Sequence, residues 1–350
     1  MISFLIRLER KILNSNLKLS IREKMKKIVV IATGGTIAGS GEAGKTTSYR
    51  AGTIKVEDVL ASIPQIQDIA NIEMIQLLSV DSNEMNEQYW LSLLEMINKQ
   101  ASRDEVDGIV VTHGTDTLEE TAYFLNLTVH TVKPVVLTGA MRPATATSAD
   151  GPFNLYQAIV LAANDKAIGC GVMALFSSTI YSARGIEKVN NYKIDAFGHN
   201  GSGALGYMRD DEVYISTRPV THHTIYSIFS HEHYQSLPNV SLVTYYAGAP
   251  VLLLEAVSRY SEGIVVVGTG SGNFSKQWID KLEELARKDI VIVRSSRVAH
   301  AIVFDEPIFD PDHLFVGSNT LSPFKARILL SLCLTRTKKR EEIEQFFKTY

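Results

Sequence analysis

Three observations predict an α/β fold for this chain of 350 residues. Short runs rich in β-branched residues recur along it, and segments with apolar residues at three- and four-residue intervals lie between them. The length also leaves room for two domains of ordinary size, each with a core that needs neither disulfide nor metal.

The elements follow in order. Residues 1–26 form a basic extension, in which Arg7, Arg10, Lys11, Lys18, Arg22, Lys24 and Lys26 stand against Glu9 and Glu23. Leu5, Leu8, Ile12 and Leu13 fall at helical spacing, which suits an amphipathic helix on a membrane or partner, but a loosely ordered extension is the favoured reading. Arg7, Glu9 and Arg10 interrupt the apolar run after Ile6, which argues against a secretory signal, and Met25-Lys26-Lys27 would itself make a normal start. Lys27-Ile28-Val29-Val30-Ile31-Ala32 and Gly108-Ile109-Val110-Val111 predict strands over 27–33 and 107–113, of the kind that fills a parallel sheet covered on both faces. Further strands are predicted at 134–138, 171–177, 240–246, 263–268 and 289–295, with helices over 86–99, 118–125, 152–163 and 275–287. The stretch 216–238 is rich in His, Ser, Thr and Pro without a period, which places a connection between domains there. The expected division is the extension, a larger domain at 27–215 with a mostly parallel sheet, the linker at 216–238, and a smaller α/β domain at 239–350.

Charge and composition exclude several function classes. The 35 Lys and Arg nearly balance 38 Asp and Glu, and beyond the N-terminus no basic stripe with interleaved aromatics occurs, so nucleic acid is not an expected partner. No stretch approaches the length of a membrane span. Cys170 and Cys333 sit in apolar stretches far apart and read as buried thiols. The pair His222-His223 and the run His231-Glu232-His233 lack metal-ligand spacing and read as solvated loop residues, so no metal is expected.

Two runs at strand ends carry the chemistry: Thr33-Gly34-Gly35-Thr36-Ile37-Ala38-Gly39 and Thr112-His113-Gly114-Thr115-Asp116-Thr117. Ligands of open α/β sheets bind beyond the carboxyl ends of strands, so two threonines and a carboxylate delivered there predict a reaction centre. A helix cap at Thr36 and turn-forming glycines would explain the first run alone. The second run beside it favours the functional reading. Gly39-Ser40-Gly41-Glu42-Ala43-Gly44-Lys45-Thr46 matches the phosphate-loop pattern letter for letter, yet poor helix formers follow Thr46 where a helix should open. Gly268-Thr269-Gly270-Ser271-Gly272 likewise lacks dinucleotide-loop spacing. Residues 39–52 read better as a mobile loop.

Together with Thr138-Gly139-Ala140-Met141-Arg142-Pro143, Ser148-Ala149-Asp150-Gly151-Pro152-Phe153-Asn154-Leu155 and Val293-Arg294-Ser295-Ser296-Arg297-Val298, these runs make the chain after Met25 resemble the bacterial L-asparaginases of the asparaginase/glutaminase family. The likeness is nearer to the secreted, high-affinity branch called type II. The resemblance implies the two-domain asparaginase-like fold and amide hydrolysis by a threonine nucleophile, without metal or organic cofactor. Carried over residue by residue, Thr36 is the nucleophile and Tyr49 its loop tyrosine, while Thr115, Asp116 and Lys188 form the proton-transfer cluster. Without the resemblance, Lys188 would read as a solvated surface lysine. Ser82 and Asp116 match groups that hold the substrate's α-carboxylate and α-ammonium, and main-chain N–H groups near Thr36 and Thr115 would face the oxyanion.

Three departures bear on specificity and compartment. Asn83 stands where members have Gln or Glu beside the substrate's amino group, which leaves the choice between asparagine and glutamine open. Asn273 and, through a less regular stretch at 299–310, Glu306 match residues donated by a neighbouring subunit, which implies a homotetramer with shared sites. Thr131 takes the place of a cysteine that forms a disulfide in some secreted members, which points to the cytoplasm, with the periplasm as the alternative. The expected activity is L-asparagine amidohydrolysis with side activity on glutamine. The rival readings are a phosphate-loop nucleotide hydrolase and a regulatory protein that binds the amino acid without turnover.

Overall fold

The computed structural model describes residues 25–350 except 43, 46–48, 51–55 and 202, and of Ala38, Tyr49, Arg50 and Val56 only the backbone. The basic extension up to residue 24 and most of the tip of the expected mobile loop lie outside the described residues.

The first part of the chain runs β1 (Lys26–Gly34), β2 (Ser40–Gly41), β3 (Tyr49–Arg50), α1 (Val56–Ala61), β4 (Ala70–Val80), α2 (Glu87–Ala101), β5 (Gly108–Thr112), α3 (Leu118–Thr128), β6 (Val135–Thr138), α4 (Gly151–Ala162) and β7 (Val172–Phe176). It continues with β8 (Thr179–Ser182), β9 (Ile186–Lys188), β10 (Phe197–His199), β11 (Gly206–Arg209) and β12 (Glu212–Ile215). The second part runs β13 (Val240–Thr244), α5 (Leu252–Ser258), β14 (Gly263–Gly268), α6 (Lys276–Ala286), β15 (Val291–Ser296), β16 (Phe315–Gly317), α7 (Pro323–Leu334) and α8 (Arg340–Thr349).

Among the described residues the larger sheet has the order β12-β11-β8-β7-β6-β5-β1-β4. β4, β1, β5, β6 and β7 are parallel, and β8, β11 and β12 complete it antiparallel. The β-branched run of β1 makes this arrangement necessary, since successive side chains point to opposite faces and both faces are apolar. Val29 and Ile31 pack with Leu93, Ile97 and Leu125 of α2 and α3, whereas Ile28 and Val30 pack with Leu155 and Ile159 of α4. All of these are buried, and cutting any large one back to alanine would cost about 2–5 kcal/mol. The α2 helix begins where Asn86 accepts the Tyr89 N–H with its side chain, and it buries Trp90, Leu93, Leu94, Ile97 and Ala101 at helical intervals.

The smaller sheet, β13-β14-β15-β16, is parallel throughout. Leu254, Trp278 and Leu282 of α5 and α6 cover the face that carries Ile264, Val266 and Ile292. The other face, with Val265, Val293 and Val316, joins Ile328 and Leu329 of α7 in the same core that holds α2 and α3. One apolar core therefore runs from sheet to sheet through α3 and α7.

Several expectations are corrected. The last predicted strand begins at Val291 rather than 289, because Asp289 takes a left-handed φ of 63° in the turn that ends α6. The unpredicted β4 is an edge strand whose half-exposed residues give neither an apolar run nor clean alternation. His223 is not a solvated loop residue: it is buried, its Nδ1 lies 3.0 Å from Thr224 Oγ1, and burial holds its pKa below the ordinary value. Cys170 and Cys333, by contrast, are both free and buried as expected. Lys45 closes a turn onto the Glu42 carbonyl, and the chain is strand at Tyr49, while Thr46, the last residue of the phosphate-loop pattern, lies outside the described residues.

Candidate active site

Because β4, β1 and β5 are adjacent and parallel, the segments that follow them leave on the same side of the sheet. These segments carry Ser82, Thr36 and Thr115, each less than a tenth exposed. Glycine lets the three meet. A Cβ on Gly35, whose φ is 83°, would lie 2.5 Å from Gly114 Cα, and one on Gly114 would lie 2.7 Å from Ser82 Oγ. Side chains cannot occupy such gaps: the backbone of Gly35 meets that of Gly114, and the backbone of Gly114 meets the Ser82 side chain.

Thr36 opens a single 3₁₀ turn, Thr36–Ala38, whose first carbonyl accepts the Gly39 N–H. Ser82 opens another, Ser82–Glu84, capped by the Asp81 carboxylate on Asn83 N–H. Ser82 Oγ accepts the Asp116 N–H at 3.3 Å, and Thr117 Oγ1 donates to the Ser82 carbonyl at 2.7 Å, so the serine and the aspartate are stitched together.

Lys188 reaches this edge from β9. Its ammonium donates to Thr115 Oγ1 at 2.7 Å and to Asp116 Oδ1 at 2.5 Å, and only 14% of the side chain is exposed. It is therefore not the solvated lysine that the residue alone suggested. A cation beside a hydroxyl favours loss of the hydroxyl proton, which is the property a water-activating cluster needs.

Behind the loop sit two residues to which sequence reasoning assigned no role. His113 lies 2.7 Å by Nδ1 from the Gly114 carbonyl and 3.0 Å by Nε2 from Thr121 Oγ1, which also accepts from Trp90 Nε1. The carbonyl can only accept, so the proton belongs on Nδ1, and Nε2 takes the Thr121 hydroxyl. Complete burial pushes the pKa of His113 down to about 4, which keeps the ring neutral. Glu119 accepts the Lys188 main-chain N–H at 2.6 Å, and burial raises its carboxyl above the usual range. The available signals were the place of His113 inside the motif and of Glu119 at the start of the helix that follows it.

Two of the other quoted motifs are braces. Asp150 accepts the N–H groups of Met141 and Arg142, and Asn154 donates to the Gly139 carbonyl, which fixes the loop after β6. Buried Arg294 donates to the carbonyls of Ser271 and Gly272, and Ser296 to that of Gly270.

That second brace holds the turn bearing Asn273, whose Oδ1 is buried without a hydrogen-bond partner among the described residues. Glu306 is exposed in the stretch before β16. Among the described residues, no hydrogen bond or ion pair joins either to Thr115, Asp116 or Lys188 within one chain. Asn83 is exposed and folds its amide back on Asp81 at 3.2 Å. The backbone of Tyr49 pairs with Gly41, and its side chain lies outside the description. No group of three or more His, Cys, Asp or Glu able to hold a metal occurs among the described residues, and no helix there is long and apolar enough to cross a membrane.

Comparison with known proteins sets this geometry in context. Residues 27–221 match the family model described as asparaginase, N-terminal, and residues 239–347 that of the glutaminase/asparaginase C-terminal domain. The chain is 43% identical over 325 residues to a probable periplasmic L-asparaginase of Haemophilus influenzae, covering 92% of this chain and 93% of that protein. It is 42% identical over 325 residues to L-asparaginase 2 of Escherichia coli, with the same shares covered. The crystal structure of a probable cytoplasmic L-asparaginase from Campylobacter jejuni superposes with a TM-score of 0.88 at 41% identity, over 93% of this chain and 100% of that one.

Proposed function

This chain belongs to the asparaginase/glutaminase family, and from that membership we propose that it hydrolyses L-asparagine to L-aspartate and ammonia, with glutamine as a secondary substrate. The observation that carries the reading is the placement of Lys188 within hydrogen-bond reach of both Thr115 and Asp116, on loops whose backbones touch that of Thr36.

In this reading the Thr36 hydroxyl oxygen attacks the side-chain amide carbon while its proton passes to a nearby base, for which Tyr49 is the candidate. The oxyanion is held by main-chain N–H groups of the strand-end loops. The base returns that proton to the departing nitrogen, so collapse expels ammonia and leaves an aspartyl ester on Thr36. Water then attacks that ester, passing a proton through the Thr115 hydroxyl, which the Lys188 ammonium orients, to the departing Thr36 oxygen, so that aspartate leaves and Thr36 regains its hydrogen. In the same reading Ser82 and Asp116 take the substrate's α-carboxylate and α-ammonium, with Asn83 beside the latter. Asn273 and Glu306, which make no hydrogen bond or ion pair with the Thr115 cluster among the described residues of their own chain, are proposed to serve a neighbouring subunit's site in a homotetramer.

Ammonia release, measured with asparagine and glutamine side by side, tests the reading. Faster release from asparagine is expected. Tight binding of either amino acid without release would make this a binding protein on the same scaffold.

A further inference from the structure

We propose that Lys325, on α7 of the C-terminal part, is a positioning residue for Lys188, fixing the strand that carries it relative to Thr115 and Asp116. The inference rests on the amidohydrolase reading above, since that reading gives Lys188 its role.

β9 is poorly placed by its own sheet. It has three residues and among the described residues pairs only with β10, and a lone two-stranded ribbon is marginal in water. A cavity of about 340 Å³ borders it, lined by Glu187, Lys188 and Asn200 on one part of the chain and by Ser296, Arg297 and Phe324 on the other. Packing therefore does not fix the strand on that side, and polar contacts must.

Lys325 supplies two of them. It is 1% exposed, and its amine donates to the carbonyl of Arg184 at 2.9 Å and to that of Ile186. Glu119 on α3 grips the same short strand by the N–H of Lys188. The preceding turn is tied to the C-terminal part as well: the Arg184 guanidinium donates to Thr320 Oγ1 at 2.9 Å and to the Tyr350 carbonyl at 3.1 Å, and Asn200 donates to the Thr320 carbonyl.

An apolar side chain of similar length would fill the same space among the buried residues of α7 without the cost of burying an amine. What only the amine provides is two donors for carbonyls that would otherwise be orphaned. Burial pushes its pKa down to about 8, opposed by Glu119 and Glu187 and reinforced by Arg184. A neutral amine still carries two N–H groups, so both bonds survive deprotonation and the clamp is not a pH switch.

The test is Lys325→Met, which keeps the length and removes the donors. A cooperatively folded variant should lose at least about 10-fold in kcat with KM changed by less than about 3-fold, because misplacement of a proton-transfer group by a fraction of an ångström slows chemistry more than capture. A folded variant with wild-type kcat overturns the proposal. If Lys325→Met does not fold, Arg184→Leu decides instead, since it releases the same turn from Thr320 and Tyr350: kcat should fall with KM held and recover in part in Arg184→Lys, and unchanged kcat overturns the proposal. Wild-type protein that releases no ammonia from either amide would sink the amidohydrolase reading itself, which is a separate outcome from an active enzyme indifferent to Lys325.

Discussion

Gly35 and Gly114 touch backbone to backbone: a Cβ added to the first would stand 2.5 Å from the Cα of the second. The contact joins the loop of Thr36 to the loop of Thr115, so the separation of the two hydroxyls is set by main chain rather than by adjustable side chains. Gly35→Ala would also force alanine into a φ of 83°. We expect it to lower kcat/KM by about 100-fold or more while the protein still folds, because the loops must part by a good fraction of an ångström. Ammonia-release kinetics beside a thermal melt check this, and a folded variant of wild-type activity would show that the contact does not set the geometry.

Thr36→Ala and Thr115→Val should each cost several orders of magnitude in asparagine turnover with little change in melting temperature. The first removes the proposed nucleophile and the second the hydroxyl that Lys188 contacts at 2.7 Å. Mass spectrometry of quenched wild-type enzyme should find an aspartyl ester on Thr36. Near-native turnover in either folded variant would contradict the assigned role.

Asp116→Ala should act mainly on capture. Its carboxylate is half exposed and is available to the substrate's ammonium as well as to Lys188. A rise in KM of at least about 10-fold is expected from the loss of a charge-assisted contact, with a smaller fall in kcat as Lys188 loses its partner. Unchanged KM would move the ammonium contact elsewhere.

The sequence made the central strands legible because Ile28–Ile31 and Ile109–Val111 are apolar on both faces, a pattern few other structures share. It made the strand-end loops legible for the same reason, since a Gly-Thr run directly after such a strand has few other uses. Lys188 was legible only through family likeness: three residues of β9 carry no period, and its partners lie 72 and 73 residues away. Helix α7 and Lys325 stayed hidden because Pro323–Leu334 is apolar on nearly every face, so amphipathic periodicity had nothing to detect.

His113 should make stability depend on pH. Its pKa is about 4 in the folded protein against an ordinary value of 6.5, so between these limits the unfolded chain binds more protons. Stability from this group is complete above pH 6.5 and is lost as pH falls through 6.5 toward 4. The melting temperature of the wild type should therefore drop across that window more steeply than that of His113→Gln, which has no proton to gain. Equal slopes would mean that His113 is solvated or paired in solution.

The last prediction concerns assembly. Asn273 and Glu306 belong to the second part of the chain, Thr36, Thr115 and Lys188 to the first, and within one chain neither Asn273 nor Glu306 bonds the Thr115 cluster. Arg294 and Ser296 nevertheless hold the Asn273 turn firmly, and the buried Asn273 Oδ1 lacks a partner among the described residues. A braced turn with an unsatisfied acceptor is costly unless something else completes it. If closed symmetric pairing brings that turn to a neighbour's Thr36, each interface makes two equivalent sites from four contributions. Thr36→Ala and Asn273→Ala subunits, each poorly active alone, should then regain activity when unfolded together and refolded. In a mixed dimer one site carries both lesions and the other carries neither, so random pairing should yield about a quarter of wild-type turnover. Mass in solution, followed with activity on dilution, should show the two falling together. A fully active monomer, or refolded mixtures no better than the average of the two variants, would leave Asn273 and Glu306 without a part in catalysis.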